Sequence, residues 1–384
     1  MAPNAFAGAQ LSIDLDAIAA NWRALTARLE GGARAGAVVK ADAYGLGMAA
    51  VAPALHAAGC GDFFTATLDE GIALSALLAA RPAGEACRIY VFLGPRPGEA
   101  AEYRRQRLSP VLNDLGQIET WRAQPDQGAA QPAVLHIDTG MSRLGLAPTE
   151  VARLSAEPER LAGLDIDFVM SHMACAEEPE HPMNQAQLSE FKAALGPLGG
   201  AAAMPRASLA NSSAIFLGGQ YHFDLARPGA ALYGLNPTPG KANPMAETVR
   251  LQAEILQVRE IDRPRAIGYG ATHRVTRPSR IATVPVGYAD GYLRSASNRA
   301  SVHIAGLPAP LVGRVSMDMI TLDVTDIPAR YAQPGAPVDL IGGAHPVDAL
   351  AAEAGTIGYE ILTSLGMRYR RRYIENASEP QGTA

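Results

Sequence analysis

The sequence predicts an α/β chain in two parts: an N-terminal (β/α)8 TIM-type barrel over residues 1–240 and a C-terminal, mainly antiparallel β domain over 241–384. Three observations lead there. Short apolar runs alternate with Ala- and Leu-rich stretches of helical period, making about eight β/α units in ~230 residues, as a parallel barrel needs. Near Pro237-Thr238-Pro239-Gly240-Lys241-Ala242-Asn243-Pro244 the chain becomes turn-rich, and beyond it strand-like runs punctuated by glycine and proline predominate. Residues able to do chemistry sit where the runs of the first part end, which is where barrels gather functional side chains. A doubly wound open sheet is the alternative, but no GxGxxG turn follows the first strand.

Leu11 to Leu15 alternates like a strand and is expected to pack with the second part; Asp16 is placed to cap the helix through Ile18, Trp22 and Leu25. Barrel strands are expected to end near Lys40, Thr67, Leu93, Leu112, Asp138, Ser171, Ala210 and Arg227. Helices are expected at Ala49 to Ala58, Asp69 to Ala80 and Asn184 to Leu198, with another opening after Ala210. In the second part the strands expected are Val249 to Val258, Arg280 to Val286, Ser301 to Ile304, Met319 to Val324 and Pro337 to Ile341. Helices at Val347 to Ala354 and Tyr359 to Leu365 interrupt them, and a frayed tail is expected after Asn376.

With 384 residues, 48% of them hydrophobic, the chain can bury a large core. A formal charge of -5 gives no reason to expect a nucleic-acid partner. The clusters Arg104-Arg105-Gln106-Arg107 and Arg368 to Arg372 read as solvated faces or interface charges. Cys60, Cys87 and Cys175 are well separated and show no metal-ligand spacing, so reduced thiols and no metal are expected. Neither a signal peptide nor a run of ~18 apolar residues is present, and the expectation is a soluble cytoplasmic protein with no membrane partner.

The chemistry begins at Ala37-Val38-Val39-Lys40-Ala41-Asp42-Ala43-Tyr44-Gly45-Leu46-Gly47, where a buried strand stops at a lysine. Desolvation lowers an amine below its usual pKa of ~10.4 and leaves a neutral nucleophile for carbonyl chemistry. His136-Ile137-Asp138-Thr139-Gly140-Met141-Ser142-Arg143 follows the fifth strand and Ser171-His172 closes the sixth. Ala210-Asn211-Ser212 ends the seventh; a serine opening a helix there either caps it or helps bind a phosphate. Arg227-Pro228-Gly229-Ala230 ends the eighth. The second part carries Ile267-Gly268-Tyr269-Gly270, Val315-Ser316-Met317-Asp318-Met319 and Thr356-Ile357-Gly358-Tyr359. Taken singly, each reads as a turn, a cap or a packed aromatic.

Taken in order, about seven such segments between Leu11 and Arg372 resemble the alanine racemases, barrel-type (fold type III) pyridoxal-phosphate enzymes. The resemblance implies that Lys40 holds pyridoxal 5'-phosphate as a Schiff base and that Tyr44 and Tyr359 bind its phosphate, together with Ser212 and the backbone N–H groups of Gly229 and Ala230. Asn211 is counted with the cofactor contacts. His172 would lie against the pyridine ring and bond the neighbouring arginine. Arg227 would face the ring nitrogen and, being unable to give up its proton, keep that nitrogen unprotonated. Arg143, the Met317 backbone and Asp318 would meet or orient the substrate carboxylate. Where many racemases have a carbamylated lysine, this chain has His136. Lys40 and Tyr269 would be the two acid/bases, one per face of alanine, with Tyr269 supplied by the second chain of a head-to-tail homodimer. The product, D-alanine, would feed peptidoglycan or be consumed catabolically. The rival readings are a racemase of broader specificity, a decarboxylase on the same scaffold, and a non-catalytic cofactor-binding barrel.

Overall fold

A computed structural model of the chain describes residues 7–80, 87–124, 131–199 and 206–375. The tail expected to fray after Asn376 lies outside them.

Seven parallel strands form one sheet in sequence order: Ala37–Val38, Asp62–Thr65, Arg88–Val91, Ser109–Leu112, Ala133–His136, Ile166–Met170 and Ala207–Ser208. Their burial is nearly continuous, as in sheets covered on both faces. The eighth strand, Leu225–Ala226, joins the ends into a ring. It pairs in parallel with Arg34–Ala35, just ahead of the first strand, and Arg227 N–H donates to Ala210 C=O (2.8 Å) on the other side. Gly36 separates Arg34–Ala35 from Ala37–Val38, and a Cβ there would meet Asp62 O and the Phe64 ring, both at 2.8 Å. Every expected strand end therefore falls within two residues of an observed one.

Helices Met48–Ala57, Leu68–Ala79, Ala100–Gln106, Leu115–Ala123, Pro148–Ala156 and Pro182–Gly199 join successive strands. After the seventh strand the expected helix is replaced by short 3-10 turns, Ala214–Phe216 and Gly219–Tyr221. The ring is completed outside by Leu15–Ala27, whose Asn21 side chain bonds Leu232 O (3.2 Å) and both the C=O and N–H of Ala246. The cap of that helix is Asp14, not Asp16: extended at φ −91°, Asp14 accepts from Ala17 N–H (2.8 Å). Asp16 falls inside the first turn, where a carboxylate still favours the helix dipole.

At the N-terminal mouth of the barrel Asp62 and Asp167 meet Tyr90 Oη (3.2 and 2.6 Å), Arg34, Arg88 and Arg206. Such a network at this end serves stability and leaves the opposite end for chemistry.

The C-terminal strands build a six-stranded sheet in the order Leu307–Pro310, Ser301–Ile304, Pro337–Ile341, Val249–Glu254, Ala9–Asp14, Arg370–Ile374. A three-stranded sheet of Gln257–Ile261, Ser279–Val284 and Ile320–Asp323 lies beside it, with the hairpin Arg265–Ile267 and His273–Val275. All these pairings are antiparallel except Ala9–Asp14 with Arg370–Ile374. The first strand of the chain is thus hydrogen-bonded between two strands of its C-terminal half. The single strand expected at Val249 to Val258 is two, because Ile255 N–H bonds Ala336 O in one sheet and Leu256 N–H bonds Thr283 O in the other.

Candidate active site

At the C-terminal end of the first barrel strand, Val39 N–H still bonds Phe64 O (2.9 Å), and then the backbone reverses hand. Ala41, Asp42, Ala43 and Tyr44 all have φ between 52° and 55°, and Gly45 follows at 81°. Left-handed geometry costs non-glycine residues roughly 1–2 kcal/mol each, so four in a row persist only if their surroundings impose them. Glu70 Oε1 accepts from Ala41 N–H (2.7 Å) and Asp42 Oδ1 from Met48 N–H (2.7 Å). From the C-terminal strand, Arg371 donates to Gly45 O (2.7 Å) and Tyr373 Oη to Leu46 O (3.0 Å). The turn presents Lys40 to the barrel mouth with its Nζ 5.6 Å from the centre of the Phe92 ring. Burial and, secondarily, the Arg143 charge hold that amine below its ordinary pKa, with Glu70 opposing.

Lys40 opens onto a cavity of about 400 Å³. One end is an aromatic and backbone cradle. The Tyr44 ring lies 4.7 Å from that of Tyr233 and 6.0 Å from that of Tyr359. A Cβ at Gly229 would collide with Tyr44 Oη, so the glycine leaves that hydroxyl its place. Burial raises both Tyr44 and Tyr359, which keeps them phenols that donate. Ser212 Oγ accepts from Gly229 N–H (3.0 Å) and Ala231 N–H (3.2 Å). The Gly229 N–H is therefore bonded within the protein, a correction to its expected role as a free donor. Nor does Ser212 open a helix: Asn211 Oδ1 caps the 3-10 turn at Ala214 N–H (3.0 Å), a piece too short for an appreciable dipole. Replacing Gly229 by alanine is expected to push the Tyr44 hydroxyl aside; with Tyr44 in the phosphate-binding role that the resemblance implies, affinity for pyridoxal phosphate should fall about tenfold, the effect of one charge-assisted bond, as spectroscopic titration of the apoprotein measures.

Arg227, His172, Arg143, Asn211 and Ala230 line the same cavity. Arg227 is 2% exposed and donates to Ser208 Oγ and Ser171 O, while its Nε–H has no protein partner. Burial pulls its guanidinium down to about 9, still cationic at neutral pH. A buried cation in the lining of a cavity, with one N–H that no protein group uses, suits a neutral acceptor such as an unprotonated ring nitrogen. The bonds to Ser208 and Ser171 hold the guanidinium, and among the described residues no hydrogen bond joins His172 to Arg227 or to Arg143. His172 is pushed well below its ordinary pKa by burial and then by Arg227, Arg143 and Lys40, so its imidazole is neutral. Among the cavity-lining side chains Lys40, Arg143 and Arg227 face a single carboxylate, Glu360. That bias selects an anionic ligand.

His136 is buried against Asn113, its Nδ1 2.8 Å from Asn113 Oδ1. Burial and the two arginines hold it at about 3. The unfolded chain, with histidine near 6.5, binds the extra proton first, so stability present above pH ~6.5 is lost as pH falls toward 3, at up to ~1.4 kcal/mol per unit. Thermal unfolding between pH 7 and 5 should show this slope, and His136→Gln should flatten it.

Tyr269, Met317 and Asp318 lie outside the cavity. Tyr269 is 71% exposed on a turn where Gly268, Gly270 and Ala271 all have positive φ, and Met317 is 54% exposed. The Met317 turn is closed by Ser316 N–H to Met319 O (3.0 Å) and braced by Ala289 N–H to Met317 O (3.0 Å). Asp318 pairs with Arg368 (2.8 Å). Sequence reasoning missed Phe92, Glu360 and Thr363, which also line the cavity. Phe92 was findable, since it follows the third strand at the height of Lys40; Glu360 and Thr363 follow from Tyr359 only once the helix Gly358–Ser364 is known to face the barrel.

Two family models cover most of the chain: that of the alanine racemase N-terminal domain matches residues 13–237, and that of the C-terminal domain 248–373. An alanine racemase of Rhodospirillum rubrum is 54% identical over 368 residues, 96% of each chain. One of Mesorhizobium japonicum, named as catabolic, is 48% identical over 96% of this chain and 94% of its own. The crystal structure of the Bartonella henselae alanine racemase with covalently bound pyridoxal phosphate superposes at a TM-score of 0.89, with 38% identity, over 96% of this chain and all of that one. On cavity, fold and sequence together, this chain belongs to the alanine racemase family.

Proposed function

We propose that this protein interconverts L- and D-alanine with pyridoxal 5'-phosphate held in the Lys40 cavity. The observation that carries the reading is buried Arg227, its Nε–H without a protein partner, in the lining of a cavity whose other cations are Lys40 and Arg143. The phosphate fits against Tyr44, Tyr359 and Ser212, and Lys40 is the attachment point. Bound there, the cofactor supplies the electron sink that makes the α-proton of alanine removable.

Racemisation needs proton transfer on both faces of a planar centre, and one side chain does not reach both. Lys40 serves the face of D-alanine. Tyr269 serves the other, and because it stands exposed and outside its own chain's cavity, it acts on the cavity of a second chain in a head-to-tail homodimer. Met317 and Asp318, likewise exposed, come with it, while Arg143 receives the substrate carboxylate. His172 lies against the cofactor ring as a neutral imidazole. Barrel and β domain divide near residue 240, with the strand Ala9–Asp14 assigned to the β domain's sheet. We place the enzyme in the cytoplasm, supplying D-alanine for peptidoglycan; among the described residues no helix is long and apolar enough to cross a membrane.

Each alanine enantiomer incubated in deuterated water tests the reading. The expected result is deuterium at the α-carbon with loss of chirality. Carbon dioxide release would identify a decarboxylase, and no exchange a binding protein. Repeating the assay with serine and larger amino acids separates an alanine enzyme from a broad one.

A further inference from the structure

Ten non-glycine residues have positive φ among the described ones. Four form the Lys40 turn, Ser142 precedes Arg143, and Ala271 follows Tyr269 by two residues. Strain of this kind collects where geometry is part of the task. Four others, Arg107, Phe223, Asn298 and Ala305, belong to no site residue's own segment, and of these Asn298, at φ 56°, bonds to both the segment of Tyr269 and the segment leading to Met317. Its Oδ1 accepts from Gly313 N–H (2.6 Å) and its Nδ2 donates to Thr272 Oγ1 (3.0 Å). Its neighbour Ser297 accepts from Val315 N–H at Oγ (2.9 Å). One asparagine thus ties the loop carrying Tyr269 to the loop leading into Met317.

We propose that Asn298 is a positioning residue for the proton transfer of Tyr269, an inference that rests on the reading of Tyr269 as the second acid/base. Lys40 is fixed by a barrel strand and a clamped turn. Tyr269 stands at the tip of the hairpin Arg265–Ile267/His273–Val275, beyond its last pair Ile267 and His273: its ring is largely exposed, and the backbone around it departs from the ordinary regions at three positions. Its placement depends on the polar ties at the ends of its loop, of which Asn298 makes the one to Thr272. Arg314 closes the same corner, its guanidinium 3.2 Å from where a Cβ on Gly270 would lie. Asparagine suits the position, because it tolerates left-handed backbone and offers both an acceptor and a donor. A misplacement of about 1 Å in a reacting group costs on the order of 10²-fold in rate.

The test uses the holoenzyme with Asn298→Ala, Asn298→Gly, Asn298→Asp and Thr272→Val. Asparagine to glycine relaxes the backbone but removes both ties; aspartate keeps the acceptor for Gly313 and accepts a hydrogen bond from the Thr272 hydroxyl. Racemisation kcat is expected to fall about 10- to 100-fold in the alanine and glycine variants with KM little changed, and to recover largely in Asn298→Asp. Exchange of the D-alanine α-proton with deuterated water, which needs only Lys40, should persist, so the ratio of exchange to racemisation rises. Independently of turnover, amide exchange of the apoprotein followed by mass spectrometry should quicken in residues 266–273 and 311–316 for Asn298→Ala, and in 266–273 alone for Thr272→Val. Wild-type racemisation in Asn298→Ala and Asn298→Gly, or exchange and racemisation lost in proportion, overturns the proposal. Tyr269→Ala serves as the reference. Should it racemise normally, the reading of Tyr269 fails; should it block racemisation while the Asn298 variants leave the ratio unchanged, this inference alone fails.

Discussion

Tyr269→Ala is expected to lower racemisation in both directions by about 10²- to 10⁴-fold, the usual worth of a general acid–base, while leaving one half of the chemistry in place. Lys40 still reaches the α-proton of D-alanine, so that enantiomer should go on exchanging with solvent and keep its configuration. L-Alanine should neither exchange nor racemise. Lys40→Ala should lose exchange of both enantiomers, because the same amine attaches the cofactor, and with it the visible band of the bound cofactor should vanish. Nuclear magnetic resonance of each enantiomer in deuterated water, with chiral analysis, separates these patterns. Equal loss of exchange for both enantiomers in Tyr269→Ala would mean that the phenol holds the site together rather than moving a proton.

Arg227→Glu is expected to lower racemisation about 10²- to 10³-fold, in the range found when one electrostatic stabiliser is removed, and to change the products. With a carboxylate facing the ring nitrogen, that nitrogen is protonated and the cofactor becomes a stronger electron sink. Such a site would let the proton return at the cofactor's carbon instead of the α-carbon more often, and hydrolysis by water would then release pyruvate and leave the amino group on the cofactor. Pyruvate formed per racemisation should therefore rise. The new carboxylate would also face the Ser171 carbonyl that now accepts from Arg227, so Arg227→Gln, which keeps a donor toward that carbonyl, is the companion. It should fold as the wild type by thermal unfolding and fall between the two in both rate and pyruvate.

Where apolar periodicity decides structure, the sequence was legible. Ser301–Ile304, Pro337–Ile341 and Val347–Ala354 match to the residue, and the ends of the barrel strands match within two. Legibility failed where a distant partner decides. Nothing in Lys40-Ala41-Asp42-Ala43-Tyr44 announces a left-handed turn, since the same residues favour a right-handed helix. The turn exists because Glu70 and two residues of the C-terminal strand bond its backbone, Arg371 from 326 positions away. Asp14 and Asp16 differ as caps by backbone geometry that no composition rule carries.

Ten of the thirteen expected site residues line one cavity, because family motifs mark the ends of barrel strands and the loops that follow. The other three are exposed at the surface of the same chain, and no reading of one chain puts them across from Lys40. That placement is the central claim, and subunit mixing measures it. Lys40→Ala and Tyr269→Ala proteins, each inactive alone, are unfolded together, refolded and assayed. If each site takes its lysine from one chain and its tyrosine from the other, half of the randomly reassorted dimers contain one intact site of two, and activity should return to about a quarter of wild type. Reassortment confirmed by mass spectrometry, with activity no higher than that of the separate variants, would contradict the account.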